Sequence, residues 1–86
     1  MAQGNGSFTV SVFNEHGVVY YGKCTVLFVP YEKETIAVLA HHTPMIMKLS
    51  KGKVMIKDGH EKHQLTDISS GLIYVGDNEA TVLVNL

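Results

Sequence analysis

The sequence predicts an all-β domain, a flattened sandwich or barrel of about eight to ten short, mostly antiparallel strands. Three observations carry that prediction. Apolar and polar residues alternate with a period of two in several stretches, as half-buried strands require. Turn residues punctuate the chain at near-regular intervals. No window combines sustained helical spacing with a capping box and a polar opposite face.

Phe8-Thr9-Val10-Ser11-Val12 opens the alternation, Lys53-Val54-Met55-Ile56-Lys57 repeats it, and Ala80-Thr81-Val82-Leu83-Val84 closes it. Shorter apolar runs lie between them, at residues 18–21, 24–29, 36–39, 45–49 and 72–75. Asp58-Gly59 is a hairpin signal, because glycine accepts the positive φ of a type I′ turn. Ser50-Lys51-Gly52 and Gly76-Asp77-Asn78 punctuate in the same way. Residues 1–7 are small, polar and glycine-rich, and read as a disordered lead-in to one sandwich domain over residues 8–86.

Composition narrows the function classes. A chain of 86 residues makes one domain, and at this size folding buries only about 60% of the unfolded chain's surface. The core is therefore thin, and partners can matter to its stability. Apolar residues at 45% and charged residues at 17% describe a globular domain slightly poor in charge. A net charge of −1 and scattered lysines give no basic stripe for nucleic acid. The lone Cys24 cannot form an internal disulfide, which favours a reducing compartment. No apolar stretch approaches the roughly 20 residues of a membrane helix, and residues 1–7 lack the regions of a signal peptide. These features predict a soluble, intracellular protein without direct membrane insertion.

The residues that carry chemistry are dispersed. His41 and His42 are adjacent, and His60 and His63 are three apart. After the turn at Gly59 a strand is expected, where residues three apart point to opposite faces, so the pair makes a poor zinc site. Cys24 sits inside the apolar run 24–29 and reads as a small buried hydrophobe, not a nucleophile. Glu32 and Glu34 read as a solvated turn, and Gly4-Asn5-Gly6 has no preceding strand to make a phosphate loop. Catalytic, cofactor-binding and metal-ligating residues are thus all expected to be absent. Surplus apolar surface is the informative feature. Both faces of run 24–29 and of Met45-Ile46-Met47 are apolar, as in a fully buried central strand or in a docking surface on an otherwise exposed sheet.

In ordered motifs the chain resembles the N-terminal β-sandwich domain of the ATP synthase epsilon subunit, the mitochondrial delta subunit. Phe8-Thr9-Val10-Ser11-Val12 is similar to the family's first strand, and Val19-Tyr20-Tyr21-Gly22 to its aromatic-x-Gly element. The segment the family writes G-x-L-G-x-x-P-G-H-x-P runs here from Glu34 to Pro44, with His42 and Pro44 matching and Ile36 a fair substitute. Leu49-x-x-Gly52, Ser69-Ser70-Gly71 and Asn78-Glu79-Ala80-Thr81-Val82-Leu83 resemble the I-x-x-G, S-G-G and N-x-V-T-V-L elements. The first two motif glycines become Glu34 and Ala37, and Pro-Gly becomes Ala40-His41. Fewer glycines predict less unusual backbone angles in this loop, or a divergent branch of the family.

The resemblance implies a non-catalytic subunit of the F1 complex in the central stalk, or rotor. It would couple proton or sodium flow to ATP synthesis by binding the gamma subunit and the ring of c subunits. Tyr20, Phe28, Met45 and Met47 are the expected gamma contacts. Glu32, Glu34, Thr35, His41, His42 and Thr43 are expected to form one polar end that meets the ring, with His41 and His42 facing acidic groups there. The family's acidic ring contact falls at Thr35, with Glu32 or Glu34 as substitutes. The implied place is the cytoplasmic face of the inner or plasma membrane, as a peripheral complex. Most bacterial members continue into a helical hairpin that brakes ATP hydrolysis. This sequence stops at Leu86, either cut there or naturally short, and in both cases the resemblance implies a chain without the brake and without ATP binding. The competing reading is a stand-alone β-sandwich interaction module unrelated to ATP synthase.

Overall fold

The structure, a computed structural model, describes residues 6–41 and 43–85. His42 and the first five positions of the expected lead-in lie outside the described residues. Among the described residues nine strands follow one another: β1 (Phe8–Asn14), β2 (Gly17–Cys24), β3 (Val26–Tyr31), β4 (Glu34–Leu39), β5 (Met45–Leu49), β6 (Gly52–Asp58), β7 (Glu61–Ile68), β8 (Gly71–Gly76) and β9 (Glu79–Val84). They form a five-stranded sheet in the order β2-β1-β9-β8-β5 and a four-stranded sheet in the order β4-β3-β6-β7. All pairings are antiparallel except β1 with β9, which sets the first and last strands side by side.

Local chemistry sets the four hairpins. In the β1–β2 turn the Asn14 side-chain oxygen accepts from the His16 N–H at 2.8 Å, and Gly17 takes φ 124°. In the β6–β7 turn Asp58 pairs with Glu61, so the central residues are Gly59 and His60. Only Gly59 has a positive φ, 65°. That places glycine at the first central position, as a type II′ turn requires, and moves the turn one residue along from the type I′ expectation. The β3–β4 and β8–β9 turns use non-glycine residues in the left-handed region, Glu32 at φ 57° and Asn78 at φ 57°.

The run 24–29, read from sequence as one strand, is two. β2 ends at Cys24 in one sheet and β3 begins at Val26 in the other. Thr25 fixes the crossing: its N–H and hydroxyl both donate to the Lys57 carbonyl, at 2.7 and 2.8 Å, and its hydroxyl accepts from the Gly59 N–H at 3.2 Å. The crossing is thereby tied to the tip of the β6–β7 hairpin.

The interior consists of alternate residues from both sheets. Val10 and Val12 of β1, Ile73 of β8, and Val82 and Val84 of β9 meet Leu27, Val29, Val38, Val54 and Ile56 of the facing sheet. No buried side chain among the described residues is polar or charged. Each fully buried Val, Leu or Ile contributes about 1.5–3 kcal/mol relative to exposure, so these residues supply the main driving force.

At the β7–β8 crossing a Cβ on Gly71 would lie 2.6 Å from the Leu83 carbonyl oxygen. The obstacle is backbone and cannot rotate away. Gly71→Ala should therefore lower stability by about 1–3 kcal/mol, read as a fall in the urea midpoint at unchanged slope.

Candidate docking surface

Register across the five-stranded sheet lines up its outward side chains. One row reads Val18, Phe13, Leu83, Leu72 and Lys48 from β2 to β5. The next reads Tyr21, Ser11, Thr81, Tyr74 and Ile46. Tyr21 is 71% exposed, Ile46 69%, Val18 64%, Tyr74 50% and Leu72 45%. Large apolar and aromatic groups thus continue across the whole sheet on its solvent side, with charge confined to Lys48 and to the rim residues Lys23 and Glu79. A contiguous patch of this kind marks an interaction surface more often than scattered single exposures do. A shallow groove of about 270 Å3 opens in it, lined by Lys48, Ser70, Gly71, Leu72 and Leu83.

The four residues nominated from sequence as gamma contacts do not share this face. Met45 and Met47 are half-buried and pack against the core, and the residue between them, Ile46, points outward. Tyr20 also turns inward, its ring over Gly22, where a Cβ would lie 2.7 Å from the Tyr20 hydroxyl. Burial pushes the Tyr20 phenol above its usual range, and Cys24 and Asp58 add to the effect. The aromatic-x-Gly element therefore has a packing reason: residues two apart share a face, and the glycine leaves room for the ring. Phe28 lies on the outer face of the other sheet, beside Ala37 and Met55, with the Lys62 ammonium 5.1 Å from its ring centre.

The polar set divides as well. Glu32, Glu34 and Thr35 cluster at the β3–β4 turn, where the Ser50 hydroxyl donates to the Glu32 carbonyl at 2.8 Å and the Ser50 N–H to the Pro30 carbonyl at 3.1 Å. His41 and Thr43 follow the far end of β4, a strand about 17 Å long at about 3.3 Å per residue. The single polar end expected from sequence is thus two opposite ends.

Nucleophilic chemistry has no foothold at Cys24. Its side chain is fully buried, and its thiol is pushed from the usual 9.0 to about 11, first by burial and then by the Asp58 charge, against a lowering backbone hydrogen bond from Val26. His63 lies 3.6 Å from Glu61 at the exposed surface. Among the described residues no three His, Cys, Asp or Glu side chains come together to hold a metal ion.

The model of the ATP synthase delta/epsilon chain β-sandwich domain matches residues 7–86. The chain belongs to that family. The ATP synthase epsilon chain of Nitrosospira multiformis is 26% identical over 80 residues, covering 93% of this chain and 58% of that protein. The chain therefore spans little more than half of that relative's length. Among solved structures, a chain of the Euglena gracilis mitochondrial ATP synthase OSCP/F1/c-ring assembly superimposes with a TM-score of 0.82 at 18% identity, over 96% of this chain and 54% of that one. A chain of the Tetrahymena thermophila mitochondrial ATP synthase central stalk and c-ring superimposes at 0.70 and 13% identity, over 88% and 61%. These likenesses show a shared fold, and the family match favours the epsilon-chain reading over an unrelated interaction module.

The family's missing glycines have two different outcomes. Glu34 and Ala37 lie in regular β4 and need no left-handed angle. His41, at the Gly of the family's Pro-Gly, keeps φ 64° without a glycine, so the expectation of less unusual angles fails there. The docking face itself was missed at Val18, Tyr21, Ile46, Leu72 and Tyr74. Its signal was present in Leu72-Ile73-Tyr74-Val75 and Met45-Ile46-Met47, apolar on both parities, but composition does not say which parity faces inward.

Two measurements check these points. His41→Gly should be neutral or stabilising by up to about 1 kcal/mol, whereas His41→Val should cost about 1–2 kcal/mol, both read from thermal melts. The Cys24 thiol, raised in the folded state, favours the protonated form there. Stability should therefore hold below pH 9.0 and fall as pH rises toward about 11, because the unfolded chain ionises first. Cys24→Ala should remove that part of the slope in urea titrations across the same range.

Proposed function

We propose that this chain is the β-sandwich of a central-stalk subunit in a rotary ATP synthase, acting by binding and torque transmission without catalysis of its own. The observation that carries the reading is the apolar and aromatic patch on the outer face of the five-stranded sheet, in a member of the delta/epsilon family. That face would dock the gamma subunit through Tyr21, Ile46, Leu72 and Tyr74, in place of Met45 and Met47. Met45 and Met47 would then support the contact from beneath, since their side chains back the strand that presents Ile46.

The β3–β4 turn, with Glu32, Glu34 and Thr35, would meet the polar loops of the c-ring. Its geometry suits a fixed contact: Ser50 clamps the turn through two hydrogen bonds. A groove of about 330 Å3 lined by Tyr31, Glu32, Lys48, Leu49 and Ser50 lies beside it. Contact with the ring would place the sandwich at the membrane surface on the F1 side, as a peripheral part of the complex. Among the described residues no helix is long and apolar enough to cross a membrane.

A gamma-binding assay tests the reading. Ile46→Glu and Tyr74→Ala alter exposed side chains, so each variant should keep the parent's melting temperature. Each should weaken binding to the gamma subunit of the same synthase by about tenfold or more, as expected for anchors inside an apolar patch. Unchanged affinity in both variants would remove this face from the proposal. Met47→Glu should instead unfold the domain, because it places a charge against the core.

A further inference from the structure

The four edges of the two sheets are not protected alike. β7 presents Glu61, Lys62, His63 and Gln64 in succession and carries a bulge opposite the Val54–Met55 step, two devices that discourage further pairing. β2 has a bulge opposite Val12 and Phe13, and ends in Lys23-Cys24. β5 is only five residues long, follows Pro44 and exposes Lys48. β4 has none of these devices between Thr35 and Leu39. Its sequence there is Thr-Ile-Ala-Val-Leu, and its register with β3 runs unbroken from Tyr31↔Glu34 to Val26↔Leu39.

Hairpin parity identifies the backbone groups left over. The pair that closes a two-residue loop exchanges both hydrogen bonds, and such pairs then alternate. Tyr31↔Glu34, Val29↔Ile36 and Leu27↔Val38 are therefore bonded pairs, and Thr35, Ala37 and Leu39 turn their N–H and C=O groups away from β3. Pro30 agrees with this assignment: it lacks an N–H and sits opposite Thr35, where none is called for. Thr35, Ala37 and Leu39 are also the exposed members of this stretch, with Ile36 half-buried and Val38 buried.

We propose that this edge takes a second copy of the same chain, β4 pairing antiparallel with β4 of the copy about a two-fold axis at Ala37. A second copy brings the same unguarded edge, and the register sets it against itself without penalty. The axis sets Ala37 against its own equivalent, Thr35 against Leu39 and Ile36 against Val38, so outward residues meet outward ones and inward meet inward. Every residue with unused backbone groups then faces another such residue. Glu34 falls opposite Ala40 and Lys33 opposite His41, so no two carboxylates and no two lysines are opposed. Moving the axis by half a residue would set inward side chains against outward ones, and larger slips lose pairs. A net charge of −1 per chain adds little repulsion. The edge lies in the four-stranded sheet, away from the apolar patch of the five-stranded one, so this inference does not depend on the proposed gamma contact.

Strand pairing alone buries less than the ~1,200 Å2 of a stable interface, so the dimer should be reversible, with a Kd on the order of 10–100 μM. Sedimentation of the 86-residue chain across that range should show a monomer–dimer equilibrium. Leu39→Lys should weaken it by about tenfold or more, and Ile46→Lys, on the other sheet, should leave it unchanged. Register is read by cross-linking. With copper-phenanthroline, Ala37→Cys should form a disulfide dimer, because facing Cα atoms of a bonded pair stand about 5.5 Å apart. Thr35→Cys should not, its equivalent lying about 13 Å away along the strand, and the parent chain should not, its lone Cys24 being fully buried. The proposal is overturned if the chain stays monomeric throughout, which would leave the edge to a strand of a different polypeptide. It is also overturned if Thr35→Cys cross-links as well as Ala37→Cys, or if Ile46→Lys disrupts the dimer while Leu39→Lys does not.

Discussion

A strand has two faces, and a two-layer sandwich covers only one of them. In an 86-residue chain whose described residues form nine strands, nearly every feature follows from how that constraint is met. The inward parity is filled by Val, Leu, Ile, Phe, Ala and one Cys, with no polar side chain among the buried described residues. The outward parity is then free to vary, and the two sheets vary differently. On the four-stranded sheet, Lys57 and Lys62 interrupt the apolar residues, and Lys62 covers the Phe28 ring. On the five-stranded sheet, apolar residues run from β2 to β5 without such cover. That difference between the outer faces is the ground on which the proposed docking of a partner rests.

Holding the two layers in register requires fixed crossings, and the polar groups are spent there. Thr25 ties the β2–β3 crossing to the β6–β7 hairpin through the Lys57 carbonyl and the Gly59 N–H. Ser50 ties the β5–β6 crossing to the β3–β4 turn. At the β7–β8 crossing, Asn85 accepts from the Ser69 N–H and hydroxyl at 2.7 and 3.0 Å while donating its own N–H to the Ser70 carbonyl. Each clip joins segments distant in sequence, so these three crossings are cross-braced. With short two-residue hairpins between strands, the domain has few places to absorb twist. That stiffness is what the proposed torque-transmitting role would require.

Legibility from sequence followed the same physics. The period-two alternation in β1, β6 and β9 gave the fold class, because one buried face prints itself directly on the chain. Where both parities are apolar the print is lost. In Met45-Ile46-Met47 the flexible thioethers suggested a docking surface, yet they are the inward residues and the branched Ile46 is the outward one. The run 24–29 hid a crossing, because Thr25 interrupts it with a single residue whose role depends on partners 32 and 34 positions away. Likewise, the polar segment from Glu32 to Thr43 looked like one end of the molecule, although a strand passing through its middle carries its halves apart. Parity and end-to-end placement are tertiary facts, and local pattern does not contain them.

The family's glycines make a related point about what a motif records. Gly71 is required because a backbone carbonyl oxygen occupies the space of its Cβ, whereas at Gly22 the space is taken by the far end of the Tyr20 side chain, which can give way. Those two are steric, and both are kept. The positions where this chain departs are of another kind: Glu34 and Ala37 sit in ordinary strand backbone, and His41 meets a left-handed angle with a side chain that tolerates it. A motif glycine that only relieves φ can be exchanged at a cost of about 1–2 kcal/mol, whereas one that makes room for backbone cannot be exchanged without moving the sheet. The pattern of losses therefore does not loosen the fold. It falls along the segment between β3 and β5, where the backbone can bear the change.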